Sequence, residues 1–152
     1  MAAKPEPFQT EWGKVRPDYP RSDLEGRLVG VMRLKLEDRG LQLIPQGSRC
    51  IRRHDVHELI LTTEPAKPGM AVGRAAYQGF VEFAVGGVAL LGDEVLVGDA
   101  PIGSLLGFDE THLPNHLNIV VWGDRFLSGV ESGFRLGDRV QFRACYTGRP
   151  AT

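Results

Sequence analysis

From residue 28 the chain alternates. Leu28, Gly30, Met32, Leu34 and Leu36 hold one parity, and Val29, Val31, Arg33 and Lys35 the other. A period of two is what a half-buried strand requires. Glu37-Asp38-Arg39-Gly40 reads as a turn, and Leu41 to Ile44 as a short strand stopped by Pro45 and Gly47. Cys50 to Arg53 and Val56 to Thr63 are extended pieces, the second with Leu59 and Leu61 opposite Glu58 and Ile60. Pro65, Pro68 and Gly69 mark a loop, and Ala76 to Val85 alternates again before Gly86-Gly87. Two apolar runs, Ile102 to Phe108 and Leu117 to Trp122, flank a polar loop.

Glycine turns directly precede β-branched strands at Lys67–Gly73, Leu91–Val97 and Leu136–Phe142. Glycine supplies the left-handed conformation and Asp caps the turn. No ten-residue amphipathic helix stands out; the best stretch, Asp124 to Ser132, is broken by Gly129. Short strands between Gly and Pro turns predict an all-β fold, a small single-domain β-barrel or barrel-like sandwich.

Composition narrows the function. A chain of 152 residues suits one domain, and a net charge of −1 recruits neither nucleic acid nor an anionic membrane. The start, Met1 to Pro7, lacks the apolar core of a signal peptide, and no run reaches membrane-span length. A cytoplasmic protein is therefore expected, with Cys50 and Cys145 as buried, reduced thiols. Residues 1–24 read as an extended N-terminal arm and 25–148 as the domain. The arm carries Phe8, Trp12 and Tyr19 among four prolines, more aromatics than a simple tail spends, so a homo-oligomer with the arm at its interface is expected. Trp122, on an apolar strand, reads as core or interface.

All four histidines fall in two segments, Arg52-Arg53-His54-Asp55-Val56-His57-Glu58 and Asp109-Glu110-Thr111-His112-Leu113-Pro114-Asn115-His116. Imidazoles beside carboxylates serve metal binding or acid–base chemistry near neutral pH. Polar loops on rigid β scaffolds are where such groups concentrate. Pro114 biases Leu113 away from helix, so His112 and His116 do not share a helical face. His112 and His116, with Asp109 or Glu110, are the candidate catalytic groups. His54, His57, His112 and His116 are the candidate ligands of a divalent metal, Zn, Fe, Mn or Ni, if the two segments meet. Arg53 and Arg52, with Asn115, are the candidate holders of a small anionic substrate. The competing reading makes the first segment a salt-bridged edge strand and the second a capped hairpin loop. No H-E-x-x-H, G-x-S-x-G, P-loop or dinucleotide fingerprint is present, and no nucleotide cofactor is expected.

The runs Gly107–Val121 (GFDETHLPNHLNIVV) and Arg49–Leu61 (RCIRRHDVHELIL) resemble the signature of a small bacterial family known only as a domain of unknown function. The resemblance spans roughly residues 26–146 and leaves the arm outside. It implies a shared role for the two histidine segments and transfers no catalytic residue.

The function expected from these residues is a small cytoplasmic enzyme of lyase, isomerase or hydrolase type acting on a small anionic metabolite. The alternative is a non-catalytic ligand-binding or assembly module with the same loop at a subunit interface.

Overall fold

The computed structural model describes residues 9–11, 14–15 and 20–144. Phe8, Trp12, Tyr19 and Cys145 lie outside the described residues.

The elements are all strands: β1 (Gln9–Glu11), β2 (Lys14–Val15), β3 (Leu24–Val31), β4 (Lys35–Leu36), β5 (Leu41–Gln42), β6 (Ser48–Ile51), β7 (Val56–Thr62), β8 (Ala71–Val72), β9 (Ala75–Val85), β10 (Gly87–Leu90), β11 (Glu94–Val97), β12 (Ala100–Asp109), β13 (Asn118–Trp122) and β14 (Arg139–Arg143). The all-β class expected from the alternation is what forms. The long alternating run after residue 28 is divided, with β3 ending at Val31 and β4 resuming at Lys35. The Asp124–Ser132 stretch forms turns, with no helix.

The main sheet runs β3-β14-β11-β12-β13-β7-β9, and β9 pairs back onto β3, closing a hydrogen-bonded ring; β4 adds to β9 outside it. Antiparallel steps around a closed ring must be even in number. A ring of seven strands therefore needs a parallel step, and it falls between β7 and β13, with Glu58 opposite Asn118 and Ile60 opposite Val120. The parallel step sets where the histidines go. Both strands begin at the same rim, so the segment before β7 and the loop before β13 arrive side by side.

Two cores lie on opposite faces of this sheet. Leu59, Val81, Phe83, Val95, Phe108, Ile119, Val121 and Phe142 are among those packed on one face. Leu41, Leu43, Ile60, Val72, Tyr77 and Val120 pack on the other, under the small β5–β8 ladder. Neighbouring residues such as Leu59 and Ile60, or Ile119 and Val120, thus serve different cores. Two-sided burial explains why β7 and β13 read as continuous apolar runs. Phe83 and Phe142 meet edge to face at 5.7 Å, a pairing worth about 1 kcal/mol beyond its buried area.

Gly69, Gly92 and Gly137 have φ of +85°, +90° and +88°, as the glycine-turn reading requires. Two expectations about single residues need correction. Cys50 is exposed, because its strand β6 pairs only with β10 and turns this position outward. Trp122 is 41% exposed and belongs to neither core cluster, which corrects the core half of its reading; it ends β13, one step beyond the buried run Ile119–Val121.

Candidate functional site

The carboxylate at the centre of the site is Glu58. Alternation along β7 puts Leu59 on one face and Glu58 on the other, where Glu58 sits between Asn118 of β13 and Phe80 of β9 and is only 5% exposed. Burial pushes its pKa up, and the nearby His112 and Arg39 pull it partly back.

Facing it is His116. Its Nε2 lies 3.6 Å from Glu58 Oε1. One side of the ring meets Phe80 edge-on at 5.1 Å, and another stacks on His112 at 5.0 Å. Asn115 Nδ2 stands 2.8 Å from His116 Nδ1. With the amide N–H donating, Nδ1 accepts and the neutral ring carries its proton on Nε2, toward Glu58. Burial lowers the His116 pKa, and Asn118 opposes that without reaching hydrogen-bond geometry. His116 Nε2 and Asn118 Oδ1 are both buried with no hydrogen-bond partner among the described residues. Buried polar atoms in native folds are nearly always paired, and the nearest groups to these two are each other and the Glu58 carboxylate.

His112 forms the outer edge of the site. It is exposed, with Nε2 3.4 Å from a guanidinium nitrogen of Arg39. Arg39 in turn donates from Nε to the Tyr77 hydroxyl at 2.8 Å. Burial raises the Tyr77 pKa while Arg39 opposes it. Arg39, His112, His116 and Glu58 therefore run as a chain from a cation at the surface to a carboxylate in the interior.

The two histidine segments do meet, through specific members. His57 lies on Phe83 at 6.3 Å, and its Nδ1 accepts the backbone N–H of Leu117 at 3.0 Å. Its Nε2 faces Asp55 Oδ2 at 3.4 Å. Burial lowers the His57 pKa; Asp55 raises it, and Arg49 and His116 add to the lowering. Burial would raise Asp55, yet the Arg52 backbone N–H and His57 hold it below the usual carboxylate range.

The remaining sequence candidates take other positions. His54 adopts a left-handed turn, φ +76°, and is exposed beside exposed Arg53 and Arg52. Arg52 Nε lies 3.8 Å from Asp55 Oδ1. Glu110 pairs with Arg49 at 2.6 Å. Asp109 is fully buried and accepts three hydrogen bonds, from the Gln42 N–H at 2.7 Å, the Thr111 N–H at 2.9 Å and Asn118 Nδ2 at 3.1 Å. Burial alone would raise its pKa; the Thr111 side chain together with those bonds outweighs it and lowers the pKa. Its lone pairs are spent on joining the β5 edge, the loop and β13.

The four imidazoles do not fit a shared metal. His54 points into solvent, His57 Nδ1 is taken by Leu117, and His112 faces a cation. Among the described residues no group of three or more His, Cys, Asp or Glu is placed to hold a metal ion.

Arg39, Tyr77 and Asn118 belong to the site without having been named as candidates from sequence, and Glu58 was named in the first histidine segment without a role. Glu58 had a signal, a carboxylate inside the apolar run of β7. Asn118 had a weaker one, an amide opening β13. Arg39 had none, since it reaches the site only through the fold.

Fold and site together define an all-β domain with a largely buried histidine–carboxylate pair beside His112 and Arg39. The chain belongs to a family of unknown function, DUF6917, whose family model matches residues 18–143. No curated protein and no solved structure matches it. Among the described residues no helix is long and apolar enough to cross a membrane.

Proposed function

We propose that the chain is a small cytoplasmic enzyme that moves a proton on a small anionic metabolite. The observation that carries this is the buried, unpartnered Nε2 of His116 set 3.6 Å from the buried Glu58. Burial raises the carboxyl pKa and lowers the imidazole pKa, which favours the neutral imidazole; its Nε2–H would donate to a substrate oxygen while Glu58 takes or returns the proton at carbon. Arg39 and His112 at the outer edge would hold the anion. The reading needs no metal. Lyase or isomerase chemistry is favoured over hydrolysis, because the site pairs a carboxyl proton carrier with an imidazole N–H donor and no serine or cysteine among the described residues is part of it.

The test is exchange with solvent. Small 2-oxo and 2-hydroxy carboxylates are incubated with the protein in D2O, and deuterium at carbon is read by proton NMR. Incorporation is expected for at least one of them, with loss in E58Q and H116Q. No incorporation across the set, or incorporation unchanged in both variants, overturns the proposal.

Homo-oligomer formation is part of the same reading. Val29, Val130 and Leu136 are exposed by 43%, 45% and 71%. The bonds Gly137 N–H to Leu28 and Val130 N–H to Met32 tie their segments to the second half of β3 and the residue just after it. Such surface favours a partner copy. Light scattering should give a mass above one chain; a monomer at working concentration refutes it.

A further inference from the structure

A cleft separate from the histidine site lies between β9, the start of β12 and the 124–134 segment, and encloses about 220 Å³. Its floor is Gln78, which is 1% exposed. The Gln78 amide nitrogen donates to the carbonyls of Ala76 and Leu127, both at 2.8 Å. Two carbonyl acceptors fix the amide orientation, since a flipped oxygen would face both of them. Its own oxygen must therefore point away from them, and Gln78 is part of the cleft lining.

The lining is mixed: Leu61, Ile102, Leu127 and Phe134 are apolar, and Glu131 and Ser132 add polar surface beside them. The rim carries Asp124 and Arg125, both exposed, of opposite charge, and in no ion pair among the described residues.

The cleft is already formed. Ser128 and Glu131 cap one another, with the Ser128 N–H on Glu131 Oε1 at 3.1 Å and the Glu131 N–H on Ser128 Oγ at 3.2 Å. Lys35 pairs with Glu131 at 3.0 Å, and Arg74 lies 4.0 Å over the Phe126 ring. Gly129 packs so closely on β9 that a Cβ there would overlap the Gln78 carbonyl.

We propose that this cleft binds a free amino acid with an aliphatic side chain. An ammonium group suits the acceptor oxygens of Gln78 and Asp124. A carboxylate suits the Arg125 guanidinium. The aliphatic side chain suits the four apolar residues. The volume lies below the roughly 300 Å³ at which pockets for drug-sized ligands begin, as a single amino acid requires. The site does not depend on the proton-transfer reading and stands if that reading fails.

The experiment is a titration of the full chain with L-leucine, followed by NMR of the Gln78 side-chain amide and of the Ile102, Leu127 and Phe134 signals. These should shift together and saturate. Leucinamide, 4-methylpentanoate and the R125A variant should each weaken binding by at least about tenfold, the loss of one charge-assisted contact. Because R125A alters an exposed side chain, it should leave the fold intact. Absence of saturable shifts at millimolar leucine, shifts confined to other regions, or binding indifferent to R125A and to both analogues overturns the proposal.

Discussion

His57 Nδ1 accepts the Leu117 backbone N–H at 3.0 Å, which ties β7 to the end of the loop that carries His112 and His116. A backbone N–H can only donate, so this imidazole must keep a lone pair on Nδ1 and its proton on Nε2. Protonation of Nδ1 would break the bond.

The pH dependence follows from that. Burial depresses the folded pKa of His57 below its ordinary 6.5. The unfolded chain then binds the proton more readily, so stability is full above about 6.5 and is lost as pH falls through the folded pKa. His116 shifts the same way. Urea midpoints at about pH 7.5 and 5.5 should drop less for H57Q than for the wild type, because glutamine offers an acceptor that does not titrate. An equal drop counts against the clamp.

Glu58 carries the opposite sign. Its raised pKa means that stability is present below its ordinary value of 4.5 and lost as pH rises through the folded pKa. E58Q removes this loss. It should equal or exceed wild-type stability near neutral pH, by up to about 1 kcal/mol, while losing the exchange activity. Chemical denaturation across that range reads the difference, and a variant destabilised at neutral pH would argue that the carboxylate is structural.

Asp109 and His112 separate support from chemistry. D109A leaves the Gln42, Thr111 and Asn118 donors without their acceptor and should cost about 2–4 kcal/mol. H112A changes an exposed loop residue and should cost under about 0.5 kcal/mol. Equilibrium unfolding of both variants gives the comparison, and a larger cost for H112A would contradict it.

Arg21 and Asp93 form a buried bidentate pair at 2.6 and 3.0 Å, with Arg21 also donating to the Val88 carbonyl at 2.7 Å. Removing one partner strands a charge, so D93A should cost about 3–5 kcal/mol. The exposed pair Arg27–Glu82, at 3.2 Å, should tolerate R27A within about 0.5 kcal/mol. Thermal melts of the two variants should differ accordingly.

Local chemistry made much of this fold legible. Alternation identified β7, β9 and the second half of β3, overrunning β3 into β4, and the Gly92 and Gly137 turns announced β11 and β14. The polar loop between β12 and β13 was bounded within about two residues. What escaped was set by distance along the chain. Nothing near Arg39 announces that its turn returns to Tyr77 and His112. Likewise no local pattern says which strand pairs in parallel, yet that pairing decides that Glu58, rather than His54, meets His116. Asp109 misled for a related reason, since a carboxylate in a polar loop looks reactive until its three donors are seen.

Strand β14 fills the gap between β3 and β11, and its Arg139 meets Glu25 across 114 residues of chain. During synthesis, β3 and β11 therefore wait with unpaired edges until residue 143 has been made. Open edges are templates for pairing with other chains. A product cut short before Arg139 would keep nearly all of the apolar core sequence and both histidine segments, yet it would be sticky rather than merely inactive. Intact production of the last described strand is thus what protects this chain from its neighbours.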